Sequence, residues 1–564
     1  MSLKVTDLQS GDARAVYKNS GMDMRTYKRL QMFVHAEKLI DDKTNLRDGD
    51  VSVFLRLGSD SKSNYYEYEV PLSLTEPGNY STYNAQDQEA VWPQSNMFDF
   101  PLSLFTDLKL ERNAKKRMDN STVTFQTRYS SYDPDKNQNK VTIVGNPSLS
   151  DVRTMMIGVR NNSNAAKDIV VWVNEMRLTD FDQSGGWAAK ANVNLGLSDI
   201  ATLNIAGHVE TVGFGGIDQS LTERRLDDYY QYNIATMVEL GRFLPEKVKL
   251  KAPLFYSITE QRTSPKYNPL DQDILLKDAL DNAGSKAERD SISDASIEKS
   301  TVESFSLSGV SFDIRSKNPM PYDPANFSIS YSYNRQSKQD PTTEFENTYD
   351  YRGSFTYSYT PFVKPFVPLK GLKSKSKHLK FLKEWEFNYL PNNIAFNTNM
   401  SRYYYEQQIR DVSGSGGMAL PTSVSKSFLW DRQFSLTWNL TKSINLSLQT
   451  MTNAHIEEPV GVVNKQLFPD EYEAWKDTVL TSIKNLGTPW NYNQTFNASY
   501  TAPFSKIPVL DYLSFNAKYN ATYTWDRGAQ ISEEIDLGNS VNNQGQLSFD
   551  GRFNFEQLYN LSLI

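Results

Sequence analysis

From Leu513 to Trp525 the sequence LSFNAKYNATYTW alternates without a break. Leu513, Phe515, Ala517, Tyr519, Ala521, Tyr523 and Trp525 fall on one side of an extended chain. Ser514, Asn516, Lys518, Asn520, Thr522 and Thr524 fall on the other, because successive strand side chains point to opposite faces. Strands of soluble sandwiches usually run only about five or six residues. At about 3.4 Å per residue this one spans roughly 44 Å, and at a tilt near 45° it projects to about 31 Å, the thickness of a hydrocarbon core. The pattern predicts a membrane strand. Leu513, Phe515, Tyr519, Tyr523 and Trp525 would face lipid, and Asn516, Lys518, Asn520 and Thr522 a water-filled lumen. Asn497 and Ser499 in TFNASYTA take lumen positions on a neighbouring strand.

The same device recurs from Gly185 onward. ANVNLGL and TLNIAGHV flank the turn Ser198-Asp199-Ile200, and FSLTWNL and INLSLQT flank Thr441-Lys442-Ser443, so each pair predicts a hairpin. NIATMVEL, VKLKAPLFYSI, FSLSGVSFDI, FSISYSYN, GSFTYSYT, IAFNTNMSRYYYE, TFNASYTA and LSFDGRFNF continue the series to roughly thirteen strands. The fold class expected is all-β, with residues 184–564 forming part of a very large antiparallel transmembrane β-barrel. Tyr403 to Tyr405, Trp430, Trp490 and Trp525 fall near strand ends, where an aromatic girdle belongs. Turns near 199, 244, 320, 442, 507 and 558 are mostly short and those near 222, 282, 342, 418, 473 and 535 longer, as periplasmic turns and extracellular loops alternate. Long loops are expected at about 261–303 and 457–489, partly helical over 269–300 and 469–487. A Lys-rich turn at 361–384 carries Lys364, Lys370, Lys373, Lys375, Lys377, Lys380 and Lys383, as a solvated turn or a segment for a membrane surface or acidic partner.

Residues 1–183 follow a different pattern. YKRLQMFVHAEKLI, DVSVFLRLG, NYYEYEVPLSL, STVTFQTRYSS, RTMMIGVRNN and DIVVWVNEMRLTDF are short β-rich runs between Asp, Asn, Gly and Ser, and predict a jelly-roll-like β-sandwich domain. VVWVNEMRL resembles the closing strand of galactose-binding-like jelly rolls. The parity of the turns puts this domain at the outer surface.

Composition narrows the chemistry. The 564-residue chain carries a formal charge of -7 and no Cys, which excludes disulfides, thiolate metal sites and a Cys nucleophile, and gives no electrostatic case for nucleic acid. No run of eighteen apolar residues occurs, which excludes a membrane-spanning helix and says nothing against a barrel. The start, MSLKVTDLQSGDARAVYKN, does not read as a signal peptide. His35, His208, His378 and His455 lack metal-ligand spacing. GFGGI at 213–217 and SGSGG at 413–417 lie between strands, as turn glycines do, rather than between strand and helix. The acidic stretches 41–50 and 132–140 offer oxygens that calcium could use, but without EF-hand spacing, and Asp and Asn are equally what turns need. No catalytic, cofactor-binding or metal-binding residues are expected, and the chain is not expected to be an enzyme.

EMRLTDFDQSGGWAAKANVNLGLSDIA, GFGGIDQSLTER and ELGRFLPEKVKLKAPLFYSITEQRTSPKYNPLDQDILLKDAL, in that order, resemble the SprA (Sov) family of the Bacteroidetes over about residues 170–410. The most specific element is PKYNPLDQDILL, with Pro265, Tyr267, Asn268, Pro269, Leu270, Asp271 and Asp273. The resemblance implies an outer-membrane translocon of type IX secretion that moves folded cargo proteins to the cell surface and in some members supports gliding motility. It further implies a PorV-type shuttle barrel and a plug protein as partners, with outer-membrane lipid around the wall. The strand count then makes this chain an internal fragment of a larger barrel. Two alternatives stay open: a TonB-dependent receptor, which would carry a globular plug before its barrel, and a soluble or surface-anchored glycan-binding β-sandwich protein.

Overall fold

The computed structural model describes residues 1–220, 223–371, 380–411, 420–466, 468–507, 510–528 and 537–561. Lys373, Lys375, Lys377 and the glycines at 413–417 lie outside them. Two compact units emerge: residues 1–189, 208–230 and 262–298 in the first, and residues 190–207, 231–261 and 299–564 in the second.

The first unit holds a β-sandwich. Strands β1 (Ser2–Leu8), β3 (Tyr27–Glu37), β6 (Phe98–Pro101) and β10 (Lys167–Phe181) pair in the order β1-β10-β3-β6. Strands β2 (Ala13–Met22), β4 (Val51–Gly58), β5 (Tyr65–Pro71), β7 (Tyr129–Tyr132), β8 (Lys140–Val144) and β9 (Val152–Asn161) pair in the order β2-β9-β4-β5-β8-β7. Alternation sends Leu30, Met32 and Val34 of β3 and Ile169 and Val171 of β10 into one core with Val53, Leu55, Tyr66 and Tyr68 of the other sheet. Burial of each such side chain contributes about 1.5–3 kcal/mol. Helix α1 (Ala85–Val91) and helix α2 (Ser103–Lys116) join the strands, and α2 buries the stripe Phe105, Leu108, Lys109 and Arg112. Of the run STVTFQTRYSS only its last three residues become strand, at the start of β7. Phe125 serves elsewhere, its ring beneath Arg112 and Lys116 at 5.0 and 3.4 Å.

The long alternating runs form one further sheet. It contains β11 (Ala188–Leu197), β12 (Ala201–Glu210), β13 (Asp227–Glu239), β14 (Leu250–Lys251), β15 (Pro253–Pro265), β18 (Glu298–Phe312) and β19 (Phe327–Gln339). It continues with β20 (Thr343–Tyr359), β21 (Asn393–Ile409), β22 (Ser423–Asn439), β23 (Ile444–His455), β24 (Thr488–Thr501), β25 (Leu513–Asp526) and β26 (Ser540–Phe553). Strand order follows chain order from β11 to β26, with β14 attached beside β18, and the pairs from β18 onward are antiparallel. The thirteen alternating runs correspond to the thirteen strands of this path, and the chain is all-β. VKLKAPLFYSI is cut into β14 and β15 at Pro253, which has no N–H to give a ladder.

Between β15 and β18 lie the hairpin β16 (Tyr267–Asn268) and β17 (Asp271–Leu275), helix α3 (Leu276–Asp281) and helix α4 (Lys286–Ser296). Helix α5 (Lys380–Lys383) follows β20, α6 (Pro469–Lys484) follows β23, and α7 (Phe555–Leu561) takes the place of the turn expected near 558. The helical loops at 269–300 and 469–487 thus form as their spacing implied.

In the second unit the sheet is a single layer. Among the described residues no other sheet belongs to this unit, and of its described strand residues only Thr343, Tyr359, Tyr404 and Ala454 are buried. Tyr519 is 42% exposed, and Leu547 and Phe549 are 59% and 65% exposed. The apolar side of these strands is therefore not packed into a protein interior.

Candidate functional site

The register sorts this sheet into two chemically distinct faces, because residues directly opposite on paired strands share a face. Asn516 stands opposite Thr501 and Asp550, Lys518 opposite Ser499 and Ser548, Asn520 opposite Asn497 and Gln546, and Thr522 opposite Thr495 and Gln544. Asn497 and Ser499 continue to Ser447 and Asn445 of β23. One polar row runs from Ser330 through Ser354, Asn399, Asp431, Asn453 and Asn491 to Asp526. Within it Asn453 donates to Asp431 at 2.7 Å and Asn491 to Asp526 at 2.5 Å. A hollow of about 630 Å³ lined by Ser306, Ser330, Asp350, Arg352 and Asp431 lies along β18–β22.

The opposite face is mainly apolar. Leu513 faces Phe553, Phe515 faces Gly551, Tyr519 lies between Ala498 and Leu547, Tyr523 between Gln494 and Asn543, and Trp525 between Tyr492 and Val541. A second row, Tyr359, Ile394, Leu436, Leu448, Phe496 and Ala521, crosses six strands without a polar residue.

That face has an end and, at mid-strand, a charged interruption. Toward the end of β21 the alternate positions include Arg402, Tyr404 and Glu406, and the chain after β23 covers the first two. Arg402 pairs with Glu458 at 2.8 Å beneath the Trp475 ring of α6, and Trp475 Nε1 donates to Glu458 at 2.7 Å. Tyr404, 4% exposed, accepts the Val463 N–H at 3.1 Å. Tyr403 and Tyr405 lie opposite Ser427 and Ser425 on the polar face, so the three neighbouring tyrosines do not form one girdle. Trp430 and Trp525 are on the apolar face, and Trp490 sits beside the register shift of β24. The interruption is Arg432, at the middle of the seventeen-residue β22, between Thr398 and Thr452. Its guanidinium lies 4.9 Å from the Trp430 ring, and its Nε is buried with no hydrogen-bond partner.

The PKYNPLDQDILL element behaves differently, as a fastening within the first unit. Pro265 ends β15, and Tyr267–Asn268 and Asp271–Leu275 fold back at Pro269-Leu270, with Asn268 Oδ1 accepting the Leu270 N–H at 3.0 Å. Asp273 is buried in the sandwich. It accepts the Tyr66 hydroxyl at 2.6 Å, the Lys109 ammonium at 2.8 Å and the Leu149 N–H at 3.1 Å. Asp271 meets the same Lys109 at 3.1 Å and accepts from Asn146 at 3.1 Å. The Tyr267 hydroxyl donates to the Arg25 carbonyl at 3.2 Å, while the Arg25 guanidinium stacks on the Tyr267 ring at 4.5 Å and donates to the Gln272 carbonyl at 2.9 Å. Burial, and then the Asp273 charge, push the Tyr66 hydroxyl well above its ordinary pKa, so it stays a donor. Lys266, through a 2.8 Å hydrogen bond, and then Ser184 hold the Asp182 carboxyl below the usual range. Tyr66, Lys109 and Arg25 were not foreseen as partners of this element. The available signal was two cations, Lys109 and Arg112, on the apolar stripe of α2.

Among the described residues no three His, Asp or Glu side chains gather to hold a metal. In the stretch 41–50 Asp42 accepts the Thr44 and Leu46 N–H groups and Asp50 pairs with Lys167 at 2.7 Å. In 132–140 Asp133 accepts the Tyr68 hydroxyl at 2.6 Å. These carboxylates serve turns and the core. No helix among the described residues is long and apolar enough to cross a membrane.

No curated protein matches the chain. Residues 1–280 match a family model described as motility related/secretion protein, SprA_N. That span takes in the whole sandwich, which the sequence reading left outside the resemblance, together with the Pro265–Leu276 element, and it stops short of residues 281–410. Through this N-terminal region the chain belongs to the SprA family of motility-related and secretion proteins.

Proposed function

We propose that the long-stranded sheet is part of the wall of an outer-membrane protein-conducting channel of the type IX secretion kind, through which folded cargo reaches the cell surface. The observation that carries this reading is the single layer with one apolar and one polar face, neither packed against a second sheet. An apolar face of this extent left in water would be an aggregation surface, whereas against hydrocarbon it is at equilibrium. The rows of Ser, Thr and Asn give a hydrated wall that binds water rather than sticking to apolar cargo. Seventeen-residue strands such as β20, β21 and β22 exceed the hydrocarbon thickness, and Arg402 with its cover, and Glu406, mark where the band ends. Strands β11 and β26 stand at the ends of the path, and open edges in lipid cost several kcal/mol per unpaired group, so in this reading further strands complete the barrel.

Extraction tests the placement. The chain is expected to resist salt and carbonate and to leave outer membranes only in detergent; release in carbonate would favour the surface-anchored glycan-binding protein instead. Protease added to intact cells is expected to cut within residues 1–183, in keeping with a sandwich at the outer surface. Cleavage only after permeabilisation reverses that orientation.

Arg432 points to a protein neighbour over one stretch of the wall. An outward cation near the bilayer midplane costs about 2–4 kcal/mol. Thr398, Arg432 and Thr452 are therefore read as facing a partner with acceptors, the PorV-type shuttle barrel that the resemblance implies. A photo-crosslinker at Thr398 or Thr452 should capture protein, and one at Leu547 lipid. Lipid adducts at all three positions would remove this partner site.

A further inference from the structure

The solvent side of the six-stranded sheet carries a polar assembly that neither the core nor the hairpin uses. Arg56 lies opposite Glu67, Arg160 opposite Ser52, and Lys140 opposite Glu69 and Tyr132. Glu67 is fully buried beneath Arg56, Arg128 and Arg160 at 2.5, 2.6 and 3.0 Å. Burial alone would raise its carboxyl pKa; the charges of Arg160, Arg56 and Arg128 hold it below the ordinary value. Arg160 also pairs with Glu69, which accepts the Ser52 hydroxyl at 2.5 Å, and Asn162 donates to Ser52 at 3.0 Å. This floor is pre-organised by its own bonds.

Above it opens a cleft of about 380 Å³, within the roughly 300–1,000 Å³ of small-ligand sites. Three cations, Arg128, Arg160 and Lys140, line it with one carboxylate, Glu69, so the site carries excess positive charge although the whole chain is acidic. Lys140, Gln138 and Tyr132 line the cleft with side chains that make no hydrogen bond or ion pair among the described residues, and Tyr132 is 62% exposed. An unpaired ammonium, an unpaired amide and a bare aromatic ring over a fixed hydrogen-bonding floor fit an anion that also presents a ring and hydroxyls.

We propose that this cleft binds a carboxylate-bearing sugar residue. The carboxylate lies toward Lys140 and Arg128, the ring lies on Tyr132, and the hydroxyls meet Gln138 and Asn162. The assignment is independent of the medium around the long-stranded sheet. A bare phosphate would leave the tyrosine unused, and a neutral sugar would leave the cations unmatched.

Calorimetric titration of the detergent-solubilised full chain at low salt tests it, with galacturonate, oligogalacturonate and glucose as probes. Galacturonate is expected to bind at least about tenfold tighter than glucose. Lys140→Ala should weaken uronate binding by about tenfold, and Tyr132→Ala several-fold, with unchanged melting profiles. Lys140→Met, which keeps a stem of similar length without the charge, serves where Lys140→Ala perturbs folding. Tighter binding of the oligomer assigns a polysaccharide as the source and equal binding a free sugar acid. Equal affinity for glucose and galacturonate, no binding of either uronate, or full uronate affinity in the Lys140 and Tyr132 variants overturns the proposal.

Discussion

Phe515→Arg and Ala517→Arg are each expected to block assembly of the chain into the outer membrane, while Asn516→Arg is tolerated. The three positions are neighbours on one strand, so helix propensity, turn chemistry and local backbone geometry cannot separate them. What differs is the face. Phe515 and Ala517 sit among Tyr500, Phe549 and Gly551, so in the proposed wall a cation there enters the hydrocarbon band, at a cost that rises to about 2–4 kcal/mol toward the midplane. That is a large share of the 5–15 kcal/mol or so by which folded proteins are stable. Asn516 sits opposite Thr501 and Asp550, where an arginine meets water and a carboxylate. Outer-membrane level and protease resistance read the result. Equal tolerance at the three positions would mean that the greasy face does not meet lipid.

Asp273→Ala is expected to loosen the hairpin from the sandwich by about 3 kcal/mol, at the lower end of the roughly 3–5 kcal/mol for breaking a buried ion pair. The lower end applies because Lys109 keeps Asp271 at 3.1 Å, while the Tyr66 hydroxyl and the Leu149 N–H lose their acceptor. Hydrogen exchange at the amides of 267–275 in the full chain measures the opening free energy. The double variant Asp273→Leu with Lys109→Met should recover part of the loss, since an apolar pair leaves no buried charge. Unchanged exchange in Asp273→Ala would show that the aspartate does not hold the hairpin.

The family match over residues 1–280 takes in the sandwich and the Pro265–Leu276 element but not the strands from β18 onward. The specific Pro265–Leu276 element owes its Asp, Tyr and Pro positions to docking within the first unit, not to conduction. The polar face of the long-stranded sheet is rich in Ser, Thr and Asn; in the proposed wall their identities are interchangeable so long as they are hydrated, and such a face leaves no motif. A specific short element and the proposed conducting surface need not coincide.

Period-two alternation in this chain determined the all-β class, the thirteen-strand count and the division of Asn516, Lys518 and Asn520 from Phe515, Tyr519 and Tyr523, because the side chains of a strand have no other way to point. The helices at 276–296 and 469–484 were likewise legible in their spacing and caps. Only the tertiary structure decided the rest. Tyr403, Tyr404 and Tyr405 read as one girdle but are divided between faces, Phe125 leaves its strand to cover two cations, and Arg432 stands inside a mainly apolar face. The burial of Asp273 against Lys109 and Tyr66, residues 164 and 207 positions away, has no local trace, since a buried charge is set by which distant partners surround it and not by its neighbours in the chain.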